Sequence, residues 1–548
     1  MIGIALKPYN KFIVSEFFEL FKTPWAIFQP DRAYDVLITD ENQIDQFHAK
    51  LVIVIHRHEN TSDEKSQIPI RRPVLAQSAV SSFPIFTAIS EVKGGSPLIK
   101  IARTGECIGN HFSNSIISIV HLGYNFFEEI FYLLNNGQPP EYSCFPTVDI
   151  HIANLRTWIL DAGISLLEIP PVAQNSQFFA CLTHDVDFAG IRNYKLDRTT
   201  AGFVYRAMVK SVAQYWQGQF TLKMLVRNWM AVVKLPFIHL GLLKDFWMTF
   251  QQYRLIEGEV PSTFFFVPFK DKSGKTEKGN APSIRAVKYD VIKLKNEVLY
   301  LTTGGCEIGI HGIDSWIDAE NGKREIGVIR DLTGQSELGV RMHWLFFGPD
   351  SPEKLEQAGY AFDSTCGYNE RIGYKAGTSQ VYRPPGVKHL LELPMHIMDT
   401  ALFYPDRMNL TFSEGITAIQ SLIEKATIFG GVLTFNWHDR SIAPERLWDG
   451  VYRRALNELQ LRGARFLAAG AVVEWFRKRR AVLFEPAYGN STSRKIRLTG
   501  LDMSPDDGMV LRVYSPSKQP SVGQFAASTL PPYQDLLLGE QKEIEFEF

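Results

Sequence analysis

Six short apolar runs between residues 178 and 437, most of them followed by a segment of helical pattern, constrain the fold of this chain more than any other feature. They are Phe178 to Thr183, Ser262 to Val267, Glu307 to His311, Val340 to Leu345, Leu390 to Ile397 and Val432 to Trp437. Strand and helix alternating this often predict a parallel sheet, open or closed into a barrel. A helix start at Ser351-Pro352-Glu353, where Ser can cap and Pro can take the first turn, fits the same pattern.

The polar residues of this region fall at the C-terminal ends of the runs, where the loops of a parallel barrel converge on one face. The first run ends in Thr183-His184-Asp185-Val186-Asp187 and the third in His311-Gly312-Ile313-Asp314. The fourth carries Arg341-Met342-His343 and the last Asn436-Trp437-His438-Asp439. Taken singly, a strand-end His is more often a hydrogen-bonded structural residue, and a strand-end Asp a cap or turn former. Together they deliver two carboxylates and three imidazoles, a ligand set for Zn²⁺ or a similar divalent ion. Asp185 and Asp187 lie two apart, so a bend in the strand lets one bind metal and leaves the other as a base. His438 then supplies the acid.

At 548 residues the chain is too long for one hydrophobic core. Residues 1–172 read as an α/β domain, with apolar runs at Tyr34 to Thr39 and Leu51 to Ile55 and helical patterns at Ile116 to Leu134 and Asn154 to Leu160. Ile169-Pro170-Pro171-Val172 reads as a linker. Residues 173–480 form the barrel, with a helical insertion at about 201–256. Residues 481–548 alternate apolar and polar positions around turns, as a small antiparallel β module with a mobile stretch from Ser515 to Pro532.

The formal net charge of −1 gives no overall field towards nucleic acid or anionic lipid, so no nucleic-acid partner is expected. The basic run Arg477 to Arg480 suits a helix C-terminus. Five cysteines without a CxxC pair suit a reducing compartment, and the N-terminus lacks the apolar core of a signal peptide, which together predict a cytoplasmic protein. No apolar stretch is long enough to span a membrane. Met224 to Phe250, interrupted by Arg227, Lys234, Pro236 and Lys244, could lie in an interface, although a helix packed on its own domain is the commoner outcome. Neither GxxxxGK[ST] nor a strand-linked GxGxxG occurs in the N-terminal region.

The Leu-Thr-His-Asp-Val-Asp sequence within Phe178 to Asp187 resembles the first motif of the polysaccharide deacetylases, the NodB-homology domain of carbohydrate esterase family 4. Ser262 to Phe266 is similar to their next strand and Gly305 to His311 to their second motif. Arg383-Pro384-Pro385-Gly386, Pro394 to Asp399 and Leu433 to His438 resemble the third, fourth and fifth, in order. The resemblance implies a distorted (β/α)7 barrel and metal-dependent removal of an N-acetyl group from an amino sugar or polysaccharide, with zinc as the preferred ion. It implies Asp185 as base, Asp187 and His311 as ligands, and His438 as the acid for the leaving amine. Arg383 would orient Asp185 and Asp399 would tune His438.

One position departs from the family. A second His normally follows the first by four residues, and here Ser315 stands there, followed by Trp316. His343 is the expected third ligand, as in a related subgroup, with Asp314 as the fallback. Lys375 is a second candidate for the cation beside the base, but Arg383 is preferred because lysine cannot make a forked contact. Trp316 and Trp437 could wall a sugar site, or be core. A carbohydrate is the expected partner. The rivals are a metal-free glycoside hydrolase, a small-amide hydrolase, and a carbohydrate-binding barrel that has lost activity.

Overall fold

In the computed structural model, each of the six runs contributes at least one strand of a single sheet. The structure describes residues 1–6, 11–41, 48–56, 73–113, 117–195, 197–487, 495–500, 504–516, 531–539 and 544–547. The central strands are β1 (Phe178–Val186), β2 (Ser262–Phe266), β3 (Glu307–Gly312), β4 (Val340–Met342), β5 (Phe362–Asp363), β6 (Leu391–Glu392), β7 (Ile397–Met398), β8 (Val432–Asn436) and β9 (Ala464–Phe466). All pair in parallel, in the order β6-β5-β4-β3-β2-β1-β8-β7, with β9 beside the start of β1. β1, β2 and β8 are buried throughout, as strands covered on both faces must be.

The sheet rolls without closing through strand pairing. Its two edges, β6 and β7, are joined by only four residues, Leu393 to His396. Leu393 donates to the Asp363 carbonyl next to one edge and His396 to the Thr434 carbonyl next to the other. The expected seven-strand ring is thus replaced by a parallel half-barrel whose open side this short connection crosses. The register levels the strand ends: Thr183 lies beside Asn436, and His311 beside Arg341. Helices such as Phe412–Phe429, started by a capping box of Thr411 and Glu414, cover the outside.

The N-terminal region builds its own nine-stranded mixed sheet, in which Ile2–Ala5, Trp25–Ile27, Val36–Thr39, Leu51–Ile55 and Ser118–Leu122 run parallel. The helical pattern read from Ile116 to Leu134 splits. Ile116 lies outside the described residues, Ser118–Leu122 is a strand, and the helix spans Phe126–Asn136 from an Asn125 cap. The Pro170-Pro171 stretch is buried rather than a surface linker. The C-terminal strands form two small antiparallel sheets rather than one, because Leu166–Glu168 supplies an edge to Val510–Tyr514. The stretch from Ser515 to Pro532 lies mostly outside the described residues.

The basic run at the end of helix Ala469–Ala481 is more than a helix terminus. Arg479 is 1% exposed and donates to the carbonyls of Ile169, Glu19 and Leu20. Arg480 pairs with Glu16 at 2.6 Å, so the run clamps the N-terminal helix Lys11–Phe21 to the half-barrel. The five cysteines are all free.

The helical insertion is an arm of α1 (Arg198–Tyr205), a π-helical stretch (Arg206–Lys210), α2 (Ser211–Trp216) and α3 (Leu222–His239). Asp197 caps α1 and Thr221 caps α3.

Candidate active site

Strand alternation decides which side chains of β1 reach the site. Thr183 and Asp185 point to one face, where Arg341 Nη1 donates to Thr183 Oγ1 at 2.6 Å and to Asp185 Oδ1 at 3.0 Å. His184 points to the other face, between the Trp437 carbonyl and Glu257 at 2.8 Å each. It is wholly buried and structural. Beyond Val186, whose carbonyl accepts from the Tyr289 hydroxyl, Asp187 turns towards the ends of β3 and β4. Asp439 holds the next residue by accepting from the Phe188 N–H.

Asp187 Oδ1, His311 Nε2 and His343 Nδ1 form a triangle with edges of 3.4, 3.3 and 2.9 Å. The outward nitrogen of each ring faces a carbonyl: His311 Nδ1 lies 2.8 Å from Arg341 O, and His343 Nε2 lies 3.0 Å from Arg285 O. Carbonyls only accept, so both outward nitrogens carry a proton, and in the neutral form of each ring the inward nitrogen presents a lone pair. Two lone pairs 2.9 Å apart repel, and Asp187 Oδ1 is buried with no hydrogen-bond donor. A cation resolves both difficulties. Tetrahedral ligands at about 2.0–2.1 Å from Zn²⁺ lie about 3.4 Å from one another, which matches the two edges to Asp187, while the 2.9 Å edge between the rings would widen around an ion. Burial lowers the His343 pKa, keeping the ring neutral as a ligand must be. Burial would raise the Asp187 pKa, and the positive charge of His438, 3.8 Å from its other oxygen, acts in the opposite sense and favours the ionised carboxylate.

Asp185 and His438 flank this group. Asp185 Oδ2 accepts from Asn436 at 2.7 Å and lies 3.7 Å from His311 Nε2. Burial raises its pKa, but positive charge around it, Arg341 and His438 included, outweighs burial, so the group is ionised. His438 Nδ1 lies 2.6 Å from Asp399 Oδ1, and its Nε2 lies 3.8 Å from Asp187 Oδ2. Burial would depress this ring. Asp399 first, then Asp187 and Asp185, lift it to about 10. A cavity of about 620 Å³ opens over these residues, with Trp344, Phe188 and Tyr404 in its wall.

The structure thus gathers Asp185, Asp187, His311, His343, His438 and Asp399, and leaves out Arg383. That guanidinium stacks over Phe12, with Nε 3.6 Å from Glu16, on the side facing the N-terminal helix. The place beside Asp185 belongs to Arg341, fully buried over the Phe265 ring. Arg341 is two residues before His343 on one strand face, and that spacing was the available signal. Asn436 stands in the same relation to His438. Asp314 accepts from the Lys275 N–H and pairs with Lys272, outside the triangle. Lys375 donates to the Gly367 carbonyl. Ser315 faces Glu325 and Tyr360. Trp437 stacks on Tyr452 within the core and Trp316 is 7% exposed, so Trp344 is the tryptophan at the cavity.

No family profile and no curated protein matches the chain. Among solved structures it is similar to a polysaccharide deacetylase from Bacillus cereus, at 14% identity and a TM-score of 0.25 over 53% of this chain and 91% of that one. A probable polysaccharide deacetylase from Pseudomonas aeruginosa PAO1 gives 14% and 0.34, over 56% and 92%. A branching enzyme from Thermococcus kodakaraensis gives 11% and 0.33, over 54% and 71%. Scores this low fix neither fold nor chemistry, which the geometry of the site has to carry.

Proposed function

We propose that the protein is a metal-dependent hydrolase that removes an N-acetyl group from an amino sugar or polysaccharide. The observation that carries this reading is the inward-facing triangle of Asp187, His311 and His343, flanked by the Asp185 carboxylate on one side and the Asp399-paired imidazole of His438 on the other. Three protein ligands leave room for water and substrate, as catalytic zinc sites do. His343 answers the departure at Ser315: the third ligand comes from the end of β4.

A divalent ion held by these three residues would polarise the acetamide carbonyl and make a bound water acidic. Asp185, anchored by Arg341 and Asn436, is the base that accepts the water's proton. Its anchors fix the carboxylate, which costs less reorganisation than an unanchored one would. His438 Nε2 is the donor to the leaving amine, and Asp399 both fixes the ring's tautomer and keeps it charged. Arg341 serves twice, since its side chain orients Asp185 and its carbonyl orients His311. The cavity wall offers Trp344 and Tyr404 as faces for a sugar ring.

The test is metal content together with acetate release from N-acetylglucosamine oligosaccharides, before and after chelation. One equivalent of bound ion and activity that disappears on chelation and returns with zinc is the expected result. Acetate release that survives complete chelation refutes the metal dependence, and cleavage of the oligosaccharide without acetate release, indifferent to chelation, favours a two-carboxylate glycoside hydrolase. Absence of both metal and activity leaves a binding protein.

A further inference from the structure

The arm from Arg198 to Lys244 has a composition unlike the rest of the chain. It contains seven lysine or arginine residues and no aspartate or glutamate, in a protein whose net charge is −1. Its longest helix, α3, has two apolar faces. The inner one, with Leu225, Ala231, Leu235 and Ile238, is buried; the last three of these pack in a cluster with Phe203 and Trp247. The outer one consists of Leu222, Val226, Trp229, Met230, Val233 and Phe237, each between 40% and 60% exposed. At 100° per residue these six fall within an arc about 100° wide. Lys223, Arg227 and Lys234 run along one border of it. The turn beyond adds Leu240 and Leu242, 74% and 69% exposed, and α2 ends on Trp216, 81% exposed.

An outward apolar stripe of this size on a soluble face is a docking surface. Charge selects the occupant. A second copy would set the cations bordering the stripe, Lys223, Arg227 and Lys234, of which Arg227 has Asp449 at 3.9 Å, against their own kind, and like charges face to face oppose association. An anionic headgroup layer answers them, and Trp at the rim of an apolar stripe suits the headgroup boundary. No helix among the described residues is long and apolar enough to cross a membrane, so the stripe would lie in the interface rather than span it.

We propose that this arm is an interfacial anchor that beds the outer face of α3 into an anionic phospholipid bilayer. The same arm supplies Arg198, Thr199 and Arg206 to the cavity wall, and Arg206 reaches Glu445 at 2.5 Å. The segment that would dock therefore also carries part of the cavity wall.

Sedimentation of the full chain with vesicles tests this without any reliance on catalysis. The wild type should bind vesicles of phosphatidylcholine mixed with phosphatidylglycerol, bind phosphatidylcholine alone far more weakly, and release as salt rises. Replacing Lys223, Arg227 and Lys234 by Gln should weaken binding about 100-fold, because each such cation contributes roughly fivefold. Replacing Val226, Trp229 and Phe237 by Ser should abolish it. All six side chains are exposed, so unchanged thermal unfolding is expected, and the cation variant serves alone if the apolar one does not fold. Failure of the wild type to bind the mixed vesicles overturns the proposal. So does self-association in sedimentation equilibrium that the apolar variant alone abolishes, which would assign the face to a second copy.

Discussion

Replacing Asp399 by Asn should move the protonation of His438 by two to three pH units while leaving the fold in place. The ring's Nδ1 is 2.6 Å from Asp399 Oδ1, and its backbone N–H donates to the other oxygen at 2.7 Å. An amide fills the same space without the charge. Burial alone would hold the ring below 6.5, and Asp399 is the first of the groups that raise it to about 10. The gap between 6.5 and about 10 corresponds to on the order of 5 kcal/mol in favour of the charged ring. A unit charge at contact range in a medium of effective dielectric about 20 supplies about 4 kcal/mol, so its removal should return the ring to near neutrality. The folded-state pKa is raised, so the stabilisation is complete below about pH 6.5 and disappears as pH rises through about 10. In the variant that loss should end near neutral pH. Nitrogen NMR of the His438 imidazole on metal-free protein reads the titration directly, and urea unfolding at about pH 6 and about pH 9 reads the linked stability. A ring that titrates at the same pH in both proteins refutes the reasoning. A cation on Asp187 cancels part of the same field, so zinc should lower the wild-type value.

Four further outcomes follow from the site. His343→Ala should lose its divalent ion on dialysis where the wild type retains it, and an equal metal content in the two would remove His343 from the ligand set. Arg341→Met leaves Asp185 buried without its cation, so it should cost about 3–5 kcal/mol in unfolding experiments and most of the acetate release. Arg383→Ala should change acetate release less than threefold, and equal losses in the two would return the orienting role to Arg383. Zinc at about 100 times its dissociation constant should stabilise the wild type by about 2.7 kcal/mol, and a thermal midpoint indifferent to zinc would contradict a site built from the native triangle.

Most of the catalytic candidates were legible before any coordinates, because strand ends are local features. A β-run that closes on Thr-His-Asp-Val-Asp states by its alternation that Asp185 and His184 face opposite ways. The same locality holds for His311, His343 and His438, each within two residues of the end of its strand. The distribution of charge along the arm from Arg198 to Lys244 is also complete in the sequence.

What tertiary structure alone decided are the relations between segments far apart in the chain. Arg341 lies in β4 and Arg383 before β6, and only the rolling of the sheet shows that one lies against Asp185 of β1 while the other faces the N-terminal helix. The closure of the sheet was undecidable for the same reason, since it rests on Leu393 to His396 reaching carbonyls on opposite edges. Exposure of the outer face of α3 likewise depends on what packs against it, and an apolar residue carries no mark of whether its neighbour is protein or solvent. Local sequence determines which groups a strand end or helix face presents; long-range packing determines what they meet.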